Sequence, residues 1–254
     1  MDKDRVGKFY DVVWTQYLPE YRESEKHWRL FYSPEEVQNT RVLDAGCGTG
    51  LFSVIFASHG TSQVVGIDIS EGSLNTGRKL KKKFGLNHIA FQNESMLNLP
   101  FPDEHFDIVW AWGTVHHTED PIGSIKELIR VLKRGGSILL AVYTRTRLTF
   151  VHELIRKTLI RTPRKYWRSL SRILAAVLSP VVYFFKKREK SRKGETLEEL
   201  VLDWYFVPIR HYFRPQEIQN LLEKEGFTVE KFLPASGRFD STSNFIFKAR
   251  KTNP

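Results

Sequence analysis

The segment Asp44-Ala45-Gly46-Cys47-Gly48-Thr49-Gly50 constrains this chain more than any other. Three glycines alternate within five residues, after an apolar run, Arg41–Ala45, that reads as a buried strand. The apolar Leu51–Ser58 that follows reads as a helix. Glycine enters left-handed backbone without a Cβ penalty and lets the main chain approach a ligand closely. A helix that starts beside such a loop offers unpaired N–H groups and the positive end of its dipole to an anionic group. Asp68 closes the next strand, Gln63–Ile67, 22 residues beyond Gly46. At that spacing a carboxylate accepts hydrogen bonds from ribose hydroxyls. The loop therefore reads as a cradle for a nucleotide-type cofactor. A dinucleotide fingerprint, G-x-G-x-x-G, places its third glycine at position 51, where this chain has Leu51.

From 41 to 143 short apolar strands alternate with helical stretches, the pattern of a parallel sheet covered on both faces. Gly72–Phe84 reads as a helix, and His88–Gln92 and Phe106–Trp112 as strands. Asp120 is placed to cap a helix with Pro121 at its first position, running to Leu132 and stopped by Gly135–Gly136. Ser137–Tyr143 is a fifth strand. The rhythm breaks at Arg145 for two helices, Arg147–Ile160 and Tyr166–Leu178, punctuated by Pro163 and Pro180. It resumes with a helix over Pro215–Glu225 and a closing strand pair, Phe227–Leu233 and Thr242–Arg250.

Five segments in order carry a resemblance. They are Arg41-Val-Leu-Asp-Ala-Gly-Cys-Gly-Thr-Gly50, Val65-Gly-Ile-Asp-Ile-Ser70, Leu99-Pro-Phe-Pro-Asp103 with Phe106-Asp107, Gly113-Thr-Val-His-His-Thr-Glu-Asp-Pro121, and Leu132-Lys-Arg-Gly-Gly136. Together they resemble the class I S-adenosylmethionine-dependent methyltransferases, in the group that includes quinone, sterol and small-molecule methyltransferases. The likeness covers most of 5 to 143 and, more loosely, 200 to 250. It implies an α/β, Rossmann-like, doubly wound sheet of seven mostly parallel strands with an antiparallel last strand, plus a helical lid insertion. Residues 1–40 would form an N-terminal helical cap, 41–144 and 200–254 the cofactor-binding domain, and 145–199 the basic lid. S-adenosylmethionine is the implied cofactor. Gly46, Cys47, Gly48 and Gly50 would hold its methionine end, Asp68 its ribose and Ile69 its adenine. An acidic residue that grips the adenine amino group in many relatives is replaced here by Ser95, aided by the backbone at Met96. Trp112 and, from the N-terminal aromatic segment, Tyr10 or Tyr17 are further cofactor contacts. Asp44 either positions the cofactor's amino end or is a structural carboxylate bonded within the loop.

Methyl transfer asks the protein chiefly to orient an acceptor and exclude water, with a base only where the nucleophile must be unmasked. His116 and His117, after the fourth strand, are the candidates for that base, against the alternative of structural histidines bonded to a loop carbonyl. No third metal ligand accompanies them, so no metal is expected. The same stretch lacks the Asn/Asp-Pro-Pro-aromatic motif of amino-methylating DNA enzymes. Cys47, the single cysteine, lies in the cofactor loop, which excludes a cytosine-C5 nucleophile, the several cysteines of arsenic methyltransferases and any internal disulfide.

With 254 residues, 41% hydrophobic and 27% charged, the chain can bury one sizeable core. Its start, MDKDRVGKFYDVVW, has no apolar signal core, so a cytoplasmic setting is expected. Charge is uneven. From Arg145 to Gly194 stand 15 Lys/Arg and two acids, a net +13, against −3 for the remainder. In this insertion Leu148, Val151, Leu154, Ile155 and Leu159 lie on one helical face, with Arg147, Arg156, Lys157 and Arg161 largely elsewhere. The apolar run Ile173–Phe185 is too short to span a bilayer. The insertion is read first as a lid over a small or lipophilic acceptor, and second as a segment of 147–190 that meets anionic membrane. Nucleic acid is the weakest reading, because no RNA-binding module accompanies the charge. In the aromatic segment Asp203–Tyr212, the residues Tyr205, Arg210 and His211 are the candidate substrate contacts, against packing beneath the lid. An enzyme acting on a metabolite is the leading function. The alternatives are a lipid or quinone methyltransferase at a membrane surface, an RNA methyltransferase, and a non-catalytic cofactor-binding protein.

Overall fold

The computed structural model describes residues 21–186, 197–235 and 244–252. Two short N-terminal helices, α1 (Tyr21–Arg29) and α2 (Pro34–Val37), precede the alternating unit. That unit runs β1 (Arg41–Ala45), α3 (Leu51–Ser58), β2 (Gln63–Ile67), α4 (Glu71–Phe84), β3 (Ile89–Gln92), β4 (Phe106–Trp112), α5 (Pro121–Val131) and β5 (Leu132–Tyr143). Three more helices follow, α6 (Thr149–Leu159), α7 (Trp167–Lys186) and α8 (Leu197–Tyr205). The chain closes with α9 (Pro215–Lys224), β6 (Phe227–Leu233) and β7 (Asn244–Lys251). The strand order is β3-β2-β1-β4-β5-β7-β6. β1 to β5 are parallel, and β7 runs antiparallel to both of its neighbours, β5 and β6. This is the sheet expected from the sequence.

Successive strand residues face opposite cores, as the two-residue period of a strand requires. Val42, Val64, Ile108 and Leu139 join α1, α2 and α3 on one face, with Trp28, Phe56 and Trp110 fully buried among them. Leu43, Val65, Val109 and Leu140 join α5 and α9 on the other. Because the central strands are parallel, their carboxyl ends share one edge, where the crevice of such sheets lies. The N-terminal aromatics are docked on the body. Trp28 stacks on His59 at 4.6 Å, the Tyr32 hydroxyl meets Ser137 Oγ at 2.9 Å, and the buried Lys248 ammonium donates to the Phe31 carbonyl. Tyr10 and Tyr17 lie outside the described residues.

Four local expectations are corrected. The fifth strand starts at Leu132, directly after α5, and Gly135–Gly136 lie inside it. There Gly135 takes a positive φ of 74°, and the pairing with β4 jumps from Phe106↔Leu132 to Ile108↔Ser137. The glycines thus mark an irregularity in the strand, a role their chemistry suits as well as a stop. Pro180 does not end α7, whose backbone runs through it to Lys186. α8 was not foreseen, and it packs with α6 and α7 into a separate apolar cluster that extends to Val207, past the boundary expected at 199. Most telling is α6. Leu148, Val151 and Leu154 are exposed, whereas Arg156 is buried.

One ring holds the glycine loop from below. A Cβ at Gly50, Gly66 or Gly77 would come within 2.5, 2.8 or 2.9 Å of the Phe91 ring, so three glycines on α3's cap, β2 and α4 leave its space. Gly77→Ala in an ordinary helix interior stabilises by about 1 kcal/mol. Here the ring is hemmed on all three sides, and we expect a loss of roughly 1–3 kcal/mol, the range for overpacking. Thermal denaturation reads the sign, and Phe91→Leu in the Gly77→Ala background should recover much of the loss. A raised melting temperature for Gly77→Ala alone would contradict this packing.

Candidate functional site

The loop after β1 turns on three left-handed glycines, Gly46 (φ 70°), Gly48 (φ 53°) and Gly50 (φ 76°). Their reasons differ. A Cβ on Gly46 would strike the Thr114 side chain, whose hydroxyl donates to the Ala45 carbonyl at 2.9 Å, and one on Gly50 would strike Phe91. A Cβ on Gly48 would meet nothing within 4 Å, so its backbone faces open space. The turn is tied to β2 because the Gly46 and Cys47 N–H groups both donate to the Ile67 carbonyl, at 2.8 and 2.9 Å.

Asp68 joins the two halves of this edge. Its Oδ2 accepts from the Gly48 N–H and its Oδ1 from the Ser70 N–H, each at 2.8 Å. Ser70 in turn caps α4 by accepting from the Ser73 N–H. Loop and helix cap are thereby held on one carboxylate. Asp44 has a different place. It is 2% exposed and its Oδ2 accepts from the Ser53 hydroxyl at 2.6 Å, which ties β1 to α3. Burial pushes its carboxyl up to about 7, with the Asp68 charge adding to the rise. Burial also pushes the Cys47 thiol up, which leaves it a poor nucleophile. Ile69 is half-buried, and the Ser95 hydroxyl accepts from the Leu97 N–H at 3.3 Å. Met96 belongs to the core beside Leu99. Trp112 stacks on Trp110 at 5.4 Å and meets Phe31 edge-on, so its ring joins the N-terminal aromatic layer.

At the end of β4 the chain makes a short 3-10 turn over Val115–His117. The structure brings His116, His117 and Arg210 together here around Tyr143 at the end of β5, with His211 joined to His116 through the backbone. The His116 ring lies 3.9 Å from Tyr143, and the Arg210 guanidinium sits 4.7 Å over the other ring's centroid. His116 is fully buried, and neither ring nitrogen has a hydrogen-bond partner among the described residues. His117 Nδ1 donates to the Ile209 carbonyl at 2.9 Å. Burial, then the Arg210 charge, lowers the His117 pKa to about 3, and burial with His117 and Arg210 nearby drives His116 down as well. The His211 N–H donates to the His116 carbonyl at 2.9 Å, and burial lowers the His211 pKa too.

Tyr205 stands apart from that group. Its hydroxyl meets His152 Nδ1 of α6 at 2.8 Å inside the helical cluster, so it packs the insertion together. Sequence reasoning also passed over Phe91, Thr114, Tyr143 and the Glu153–Arg156 pair. Gly66 inside a strand and Gly77 inside a helix were the available signs of a close approach near Phe91. Among the described residues no cluster of His, Cys, Asp or Glu could hold a metal ion.

Residues 43–140 match the family model described as "Methyltransferase domain". The chain is 33% identical to the demethylmenaquinone methyltransferase of Bacteroides fragilis over 127 residues, covering 49% of each protein. It is 29% identical to a ubiquinone/menaquinone biosynthesis C-methyltransferase of Shewanella frigidimarina over 174 residues, covering 66% of this chain and 67% of that protein. The chain thus spans about half the length of the first of these relatives. Magnesium protoporphyrin IX methyltransferase from Synechocystis PCC 6803, solved with bound SAH, shares the fold. Its TM-score is 0.57 at 18% identity, over 91% of this chain and 82% of that one. The motif order, the sheet order and the sequence matches agree on a methyltransferase domain over residues 43–140, similar to those of the class I S-adenosylmethionine-dependent methyltransferases.

Proposed function

We propose that this chain transfers the methyl group of S-adenosylmethionine to an oxygen, nitrogen or carbon nucleophile of a small lipophilic acceptor. The observation that carries this reading is Asp68, whose carboxylate binds the Gly48 and Ser70 N–H groups at the carboxyl edge of the sheet. Open space beside Gly48 supports a cofactor there, and Asp68 would take its ribose hydroxyls. Gly46, Cys47, Gly48 and Gly50 would line the methionine end, with Ile69, Ser95 and Met96 toward the adenine. Asp44 supports the edge from beneath through Ser53. When bound, the cofactor supplies an electrophilic methyl group on a sulfonium. The relatives named for quinone biosynthesis support a lipophilic acceptor.

The polar wall of His116, His117, Arg210 and His211 orients the acceptor in this reading. With its Nδ1–H on the Ile209 carbonyl and a pKa lowered to about 3, which leaves its other nitrogen a weak base, His117 acts in this reading as a positioning group rather than a proton acceptor. The helical layer of α6, α7 and α8 serves as the lid. It rests on this wall through Arg156, whose guanidinium donates to the Val207 and Pro208 carbonyls at 2.8 and 3.0 Å. A cytoplasmic enzyme meeting its acceptor at a membrane face fits the basic insertion. Among the described residues no helix is long and apolar enough to cross a membrane.

The reading is tested with cofactor carrying a labelled methyl group, incubated with the protein and a lipid-soluble metabolite extract. Label is expected in the organic phase, dependent on the protein. Asp68→Ala should weaken cofactor binding by roughly 1.5–3 kcal/mol in calorimetry, and Ser95→Ala by about 1 kcal/mol or less. Unchanged affinity in Asp68→Ala would remove the ribose assignment.

The histidines make a pH prediction with a definite sign. Folding lowers the His117 pKa from 6.5 to about 3, so the unfolded chain takes up the proton first as pH falls. The stability held by neutral His117 is complete above about 6.5 and is lost as pH drops from there toward 3. His117→Gln should flatten that loss in denaturant titrations, and its kcat should stay within about tenfold of the parent. A fall of roughly 10²–10⁴ in kcat, with cofactor affinity unchanged, would instead make the histidine a general base.

A further inference from the structure

α6 packs Ile155 and Leu159 inward together with the Glu153–Arg156 pair, and leaves other large apolar residues outward beside the exposed Lys157. Inward, Arg156 is buried, pairs with Glu153 through two hydrogen bonds of 2.8 Å, and caps the Val207 and Pro208 carbonyls. His152 meets the Tyr205 hydroxyl on the same inner side. Outward, Phe150 is 76% exposed and Leu154 58%. Any rotation that hid Phe150 and Leu154 would pull Arg156 off the Val207 and Pro208 carbonyls and leave those acceptors without their donor, which is costly. The orientation is therefore fixed, and the apolar face is left to solvent or to a partner. α7 repeats the feature, with Ile173 62% and Val177 65% exposed at one-turn spacing.

The charge on this surface says what covers it. Phe150, Leu154 and Lys157 follow the i, i+4, i+7 spacing of one helical face, with the exposed Arg147 and Arg161 just beyond the two ends of α6. Lysine and arginine interleaved with large apolar side chains match the boundary between anionic headgroups and acyl chains. A nucleic-acid surface could stack a base on Phe150 but has no use for the exposed aliphatic Leu154, Ile173 and Val177, and a self-associating face would set these like charges against each other.

We propose that the outward faces of α6 and α7 form a docking surface for an anionic lipid bilayer, with Phe150 and Leu154 entering the headgroup boundary and Arg147, Lys157 and Arg161 meeting lipid phosphates. This deepens the reading of a lipophilic acceptor, since it sets the lid against the phase that dissolves such a compound. The contact is interfacial and reversible, because several separate basic residues act over a screening length of about 8 Å at physiological salt.

The test is co-sedimentation of the full chain with phosphatidylglycerol-rich vesicles and with vesicles of phosphatidylcholine alone, at low and high salt. Binding is expected only to the anionic vesicles and is expected to weaken with salt. Phe150→Ser combined with Leu154→Ser should lower the partition coefficient at least about tenfold. Each of Lys157→Gln and Arg161→Gln should lower it about fivefold. Melting temperature and cofactor affinity in solution are read for the same variants and should match the parent. Equal binding to both vesicle types, or full binding by the double Ser variant, overturns the proposal. So does a concentration-dependent dimer that the double Ser variant abolishes, which would assign the face to a second copy. Loss of vesicle binding with cofactor affinity intact separates this surface from the methyltransferase reading. If the parent chain binds vesicles but no cofactor, that reading fails and the surface stands.

Discussion

Everything at the working edge depends on the chain reversing from β1 into α3 within five residues. The reversal needs left-handed backbone at Gly46, Gly48 and Gly50, which side-chain-bearing residues enter only with strain. Two of these positions are also closed by neighbours, Thr114 above and Phe91 below, while the third opens outward. Asp68 then couples the reversal to the start of α4 by accepting from both segments. Loop, Asp68 carboxylate and helix cap therefore form one mechanical unit. A change at Phe91 or Gly77, on elements behind the loop, reaches the cofactor edge through it.

Much of this was legible in the sequence because the signals were local. Arg41–Ala45, Leu51–Ser58, Gln63–Ile67 and Phe106–Trp112 are observed with the bounds that apolar periodicity and flanking glycines imply. Asp120 caps α5 as its residue type suggests, accepting from the Gly123 N–H at 2.8 Å. What was not legible depended on distant partners. The inward turn of Arg156 requires Glu153 and the Val207 and Pro208 carbonyls, fifty residues away in sequence, and no periodicity encodes them. The stripe Leu148, Val151, Leu154, Ile155 and Leu159 read as one apolar face, yet only Ile155 and Leu159 pack on the helical cluster. Gly135–Gly136 looked like a helix stop because a bulged strand and a helix end use glycine for the same backbone freedom.

The candidate site divides the same way. Glycine loop and Asp68 are read from a short motif, whereas the wall around Tyr143 is assembled from β4, β5 and the segment before α9. His116, His117, Arg210 and His211 were each named from sequence, yet Tyr143, the ring that the first three share, was not. Its effect is chemical. Burial beside Tyr143 and the Arg210 guanidinium takes water from the imidazoles and holds them neutral. Tyr205, named with Arg210 and His211, joins α8 to α6 through His152.

The account stands on the glycine loop and Asp68 gripping one ligand together. Amide NMR of the full chain titrated with S-adenosylmethionine tests that most directly. Saturable shifts concentrated at Gly46–Gly50, Asp68 and Ser70, with a shared midpoint, are the expected result. Saturation with those amides unmoved, or no saturable change anywhere, would contradict it.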